Sequence, residues 1–136
     1  MTKLIIACAV ILLSGCATQI DGPSAFARLS PTKGNTTTGV VTFKTLGSKV
    51  WVTADIQGLK PNAEHGFHVH DKGDCSSGDG MSTGGHFNPN SQAHGAHGSN
   101  AHHAGDLPSL RADMNGNAKI SFETSSITIG SGSTDI

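Results

Sequence analysis

At 136 residues the chain has room for one domain. A formal charge of −1, with 9 Lys and Arg against 10 Asp and Glu and no basic run interleaved with aromatics, argues against nucleic acid as a partner. Eighteen glycines and only 5 Phe and 1 Trp predict a turn-rich, all-β chain whose core comes mainly from Val, Ile, Leu and Ala.

The first segment reads as a targeting signal. Met1-Thr2-Lys3 is a short positive start, and Leu4 to Leu13 is an apolar run too short to span a bilayer as a mature helix. It ends in Leu13-Ser14-Gly15-Cys16, which is similar to a bacterial lipobox, where the cysteine is lipidated and becomes the new N-terminus. The expected organisation is a signal peptide over 1–15, a lipidated tether over 16–23 and a domain over 24–136. The expected address is the periplasm, with Cys16 anchoring the chain to a bacterial membrane, the outer one by preference. An ordinary signal peptide cut nearby is the alternative, and it also exports the chain. Cys8 leaves with the signal and Cys16 carries lipid, so Cys75 is the one thiol left for the domain. A lone cysteine is odd in an oxidising compartment.

Ser24 to Ser30 alternates weakly and predicts a first strand, closed by Pro31 and the Lys33-Gly34-Asn35 turn signal. Gly39 to Leu46 is β-branched and short, and Gly47-Ser48 follows it. Val50, Val52, Ala54 and Ile56 alternate with Trp51, Thr53, Asp55 and Gln57, the pattern of a half-buried strand. Trp51 fits strand packing and an interface equally well. Gly58, Lys60, Pro61 and Asn62 turn the chain into a strand over about 64–71.

All 8 histidines fall between positions 65 and 103. In Phe67-His68-Val69-His70, apolar and imidazole residues alternate. Side chains i and i+2 of a strand share a face, roughly 6.5–7 Å apart. Phe67 and Val69 are therefore expected to face the core, leaving His68 and His70 together on the outside as a metal-binding pair. From Lys72 to Asp106 no periodicity is present, so metal is expected to supply the order that packing cannot. Pattern returns with Leu110, Ala112 and Met114. After the Asn115-Gly116 turn, Ala118, Ile120 and Phe122 alternate with polar residues, which predicts a tight hairpin. Ile127 and Ile129 are apolar, and Gly130 to Ser133 is a turn. About six strands and no helix are expected.

The loop places His94 eight residues beyond His86, and His103 three residues before Asp106. Three imidazoles and one carboxylate make a closed tetrahedral set suited to zinc. His68 and His70 with a third imidazole suit copper better. Two ions are expected. Asp71, Asp74 and Asp79 read as turn and surface carboxylates, His65 as a structural histidine, and His97 and His102 as solvated loop residues.

Gly66-Phe67-His68-Val69-His70, Gly85-His86-Phe87-Asn88-Pro89 and His103-Ala104-Gly105-Asp106-Leu107, in that order, resemble the motifs of copper/zinc superoxide dismutase, above all its bacterial exported branch. The resemblance covers about 24–125. It implies a Greek-key β-barrel related to the β-sandwiches, with about six of its eight strands present. It implies that His68 and His70 bind copper, that His86 bridges copper and zinc as imidazolate, and that His94, His103 and Asp106 complete the zinc site. Cys75 matches the loop cysteine whose disulfide pins the metal loop to the last strand. The implied reaction converts superoxide to dioxygen and hydrogen peroxide, with copper cycling between Cu(II) and Cu(I) and His86 delivering a proton to the peroxide. The resemblance leaves a homodimer open.

No histidine lies after His103, no arginine after Arg111 and no cysteine after Cys75. The fourth copper histidine, the guiding arginine and the partner cysteine of the family pattern are therefore missing. The expectation is a dismutase truncated by two strands that binds zinc better than it dismutates superoxide. Either His97 or His102 is the candidate substitute for the missing ligand. The alternative is a non-catalytic periplasmic lipoprotein that binds zinc or copper.

Overall fold

A computed structural model describes residues 22–136. The expected signal segment, Cys8, Cys16 and most of the expected tether lie outside the described residues.

Strict alternation in the sequence becomes an antiparallel sheet. Strands β1 (Ser24–Leu29), β2 (Thr38–Leu46) and β3 (Lys49–Gln57) follow one another, and β6 (Ala118–Thr124) closes the sheet in the order β1-β2-β3-β6. Leu46 pairs with Lys49 across the two-residue Gly47-Ser48 turn, where Gly47 takes a φ of 63° that β-branched residues resist. Val41 pairs with Ala54 and Phe43 with Val52, while Val52 and Ile56 pair with Phe122 and Ala118 on the other side. The inward set Val41, Phe43, Val50, Val52, Ala54 and Ile56 is buried, and Val52 and Ile56 are wholly so. Trp51 falls on the outer face of β3, half-exposed and opposite Glu123.

The second layer holds far less ladder. Strands β4 (Glu64–His65) and β5 (Leu110–Arg111) make a two-stranded sheet. Phe67, Ala104, Leu107, Leu110 and Ile127 bring it against the first sheet, so one core lies between the layers. The six strands among the described residues agree in number with the sequence expectation, and the fold is all-β. The helical part among the described residues is one short 3-10 turn, Met81–Thr83, where none was expected.

Two expected elements differ. The strand over 64–71 keeps ladder pairing only at Glu64 and His65. Beyond Gly66 it stays extended but trades partners, with single bridges from His68 to Asp106 and from His70 to His86. Each loop segment touches it for one residue pair and moves away, so no ladder propagates. The hairpin over 110–123 is present only as its turn. Asp113 Oδ1 accepts the N–H groups of Asn115 and Asn117 at 2.8 and 2.9 Å, and Gly116 donates to the Asp113 carbonyl at 3.1 Å. The arms then part, β5 to β4 and β6 to β3. Leu110 and Ala118 are buried in opposite layers of the same core, which two paired arms of one hairpin could not reach.

Candidate metal centre

Three backbone segments carry the site, and they hold one another. Val69 donates its N–H to the Gly105 carbonyl, Gly105 to that of Phe87, and Phe87 to that of Val69, each at 2.9 Å. The three bonds close a ring. Side chains flanking the ring residues alternate between core and site. Phe67, Val69 and Phe87 pack on the core cluster, while His68, His70, His86 and Asp106 turn the other way. The expected placing of Phe67 and Val69 against the core agrees with this. Gly105 is fixed by contact, because a Cβ there would run into the Val69 carbonyl oxygen. At Gly66 a Cβ would lie 2.5 Å from the His68 ring.

Asp106 is the centre of one donor group. Its side chain is 2% exposed, and its oxygens accept the N–H of His103 at 2.8 Å and of Gly95 at 3.3 Å. His86 Nδ1 lies 2.8 Å from Oδ1, His94 Nδ1 3.0 Å from Oδ2 and His103 Nδ1 3.5 Å from Oδ1. All four ligand atoms fall within 4.8 Å of one another. Donors about 2 Å from a tetrahedral zinc ion stand about 3.3 Å apart. His103 Nδ1 is buried with no hydrogen-bond partner. An orphaned buried polar atom costs about 1–3 kcal/mol, which a ligated ion removes. The donor set fits zinc.

The charge on Asp106 is secured by the backbone. Burial opposes ionisation, but the amides of His103 and Gly95, with His86 beside them, outweigh it and hold the carboxyl well below the usual carboxylate range.

His68 and His70 lie on the other side of His86. The His68 ring stacks on His86 with centroids 3.9 Å apart and planes 18° from parallel, and the His70 centroid is 5.3 Å from that of His86. His70 Nδ1 is 3.0 Å from the Gly84 carbonyl oxygen, which can only accept, so Nδ1 carries the hydrogen. His70 Nε2 is thereby left as a bare lone pair, the state a metal ligand needs. Burial first, and then the neighbouring His86, push the His68 imidazole below its ordinary range and keep it neutral.

The remaining expected residues divide. His65 donates Nε2–H to the Lys60 carbonyl at 3.1 Å, as a structural histidine should. Asp74 and Asp79 cap turn amides of Ser76 and Met81. Cys75 is exposed and free, without a disulfide partner among the described residues. His97 and His102 depart from the solvated-loop expectation. Both are part-buried and bonded to backbone carbonyls, of Asp106 at 2.9 Å and of His103 at 2.7 Å. Sequence reasoning also missed the amides of Gly95 and His103. Gly95 following His94 is the one hint, since a Cβ at Gly95 would strike the Ala101 carbonyl oxygen.

Known proteins resemble this chain in sequence and fold. A family model for copper/zinc superoxide dismutase (SODC) matches residues 37–136. The Cu-Zn superoxide dismutase of Paramecium bursaria Chlorella virus 1 is 50% identical over 91 residues, covering 67% of this chain and 48% of that protein. That of Saccharomyces cerevisiae is 42% identical over 93 residues, 67% of this chain and 60% of that protein. Superoxide dismutase [Cu-Zn] 2 of Aquifex aeolicus is 33% identical over 134 residues, 97% of this chain and 77% of that protein. Among solved structures, the crystal structure of the clock protein EA4 matches with a TM-score of 0.72 and 40% identity, over 82% of this chain and 68% of that one. The chain spans about half the length of the viral relative and 60% of the yeast one. With its fold, its donor groups and these matches in agreement, the chain belongs to the copper/zinc superoxide dismutase family.

Proposed function

We propose that the chain acts as a copper/zinc superoxide dismutase, turning two superoxide anions and two protons into dioxygen and hydrogen peroxide. One observation carries this reading: His86 stands between two donor groups. Its Nδ1 faces Asp106 at 2.8 Å, while its ring packs on His68 and lies beside His70. The ring has one nitrogen for each side. His86, His94, His103 and Asp106 would hold zinc, and His68, His70 and His86 would hold copper.

Bound copper would supply the one-electron redox chemistry. The protein's part is to position and to move a proton. His70 is oriented by the Gly84 carbonyl and the Thr83 hydroxyl, both at Nδ1, which leaves Nε2 on the opposite side of the ring. His86 Nε2 is the atom placed to hold a proton and pass it to reduced dioxygen. With Nδ1 tied into the Asp106 group, the ring keeps its direction while Nε2 changes state.

The N-terminal sequence also supports export. The apolar run to Leu13 and the Leu13-Ser14-Gly15-Cys16 sequence favour a periplasmic chain, lipidated at Cys16 and held to a membrane, as in the bacterial exported branch. A second reading, metal binding without turnover, is favoured by the completeness of the four-donor group beside only three imidazoles on the copper side. Superoxide dismutation by the copper- and zinc-loaded chain, scored per bound copper, separates the two. Turnover well above that of free copper is expected. Zinc retained without turnover would leave metal binding as the function.

A further inference from the structure

We propose that His97 and His102 form a separate metal site, taking a divalent copper or zinc ion outside the His86–His94–His103–Asp106 group. The inference does not rest on dismutation and stands or falls with metal binding alone.

The first support is the state of the two rings. His97 Nδ1 lies 2.9 Å from the Asp106 carbonyl oxygen and His102 Nδ1 2.7 Å from that of His103. A carbonyl oxygen can only accept, so each Nδ1 carries the hydrogen. Each neutral ring then has Nε2 as its lone pair. Histidines that bind metals are held this way, one N–H donated to a carbonyl or carboxylate and the other nitrogen on the ion. In both rings the bond to the carbonyl is made through Nδ1, on the far side of the ring from Nε2.

The second support is where the rings stand. Their centroids are 5.6 Å apart with planes at 55°, a separation at which two imidazoles can reach one ion. Phe122 meets the His97 ring edge-on at 5.8 Å and limits its rotation. Both rings line one cavity of about 290 Å³, with Lys49, Glu123, Thr124, Ser125 and others on its walls. Glu123 shares the cavity but is paired with Lys49 at 2.8 Å. Water therefore fills the remaining positions around the ion, and the pair binds more weakly than the four-donor group. Neutral imidazoles in such a set select copper(II) over zinc, with the harder ions behind.

The two sites touch through the main chain. The N–H groups of His97 and His102 end on the carbonyls of Asp106 and His103, both members of the four-donor group. An ion on the pair fixes those carbonyls, and filling either site should favour the other.

Zinc bound by the full chain, measured by equilibrium dialysis and elemental analysis, tests the site. A chain carrying both His97→Asn and His102→Asn should hold one equivalent fewer than the unmutated chain. Equal counts would overturn the proposal. Should the double variant lose the metal of the four-donor group as well, imidazole ¹⁵N resonances of the unmutated chain decide. Zinc added after that group is filled should move Nε2 of His97 and His102. Signals that stay in place would also overturn it.

Discussion

Asp106 shows how much of the site depends on one buried carboxylate. Its charge is met by two backbone amides and faced by three imidazoles, with 2% of the side chain exposed. Its pKa is depressed in the folded state, so it contributes stability above the unfolded carboxylate range, near pH 4, and that stability is lost as pH falls below it. In the chelator-treated chain, Asp106→Asn should lower the urea midpoint at neutral pH and flatten its decline between about pH 5 and pH 3. Equal acid slopes for the two chains would show that Asp106 is not the group responsible. At this scale the gathering of donor side chains was legible, because His68-x-His70 and His103-x-x-Asp106 are side-chain patterns. The amides of Gly95 and His103 were not, since a backbone donor leaves no mark in sequence. Nor was the fixing of His97 and His102, whose partners are carbonyls brought close only by the fold.

Strand β3 carries the clearest element-level signal. Val50, Val52, Ala54 and Ile56 face inward without interruption, and β3 pairs along both edges with β2 and β6. Ile56 is wholly buried, so Ile56→Ala should cost about 2–5 kcal/mol in urea unfolding, as large-to-small changes in packed cores do. A loss below about 1 kcal/mol would mean that the layers close over the gap. Periodicity gave this strand because one face meets the core throughout. It failed for 110–123, where Asn115-Gly116 correctly marks a reversal but says nothing of which strand each arm then joins. It overextended the strand at 64–71, where the backbone is extended yet changes partner at every second residue.

Across the whole molecule, the two layers are unequal in their supports. One is a four-stranded sheet with continuous pairing, and the other leans on single bridges and on the donor groups. Metal that binds only the folded chain adds RT ln(1 + [L]/Kd), about 2.7 kcal/mol at a hundredfold excess over Kd. The thermal midpoint of the chelator-treated chain should therefore climb steadily with added zinc. A midpoint indifferent to zinc would place the four-donor group outside the folding equilibrium. The all-β class and the family were both legible from the sequence, because three short motifs in fixed order are more specific than any periodicity. The layering was not, since it depends on which of many similar edges meet.

The ring of hydrogen bonds through Val69, Phe87 and Gly105 is made of backbone atoms alone. The imidazoles and the carboxylate project from beside it and form no part of it. The scaffold and its chemical equipment are thus separable: side chains at 68, 70, 86 and 106 can be exchanged while the frame that aims them persists. A protein built this way can gain, lose or retune a metal by single replacements, without the fold having to be invented again.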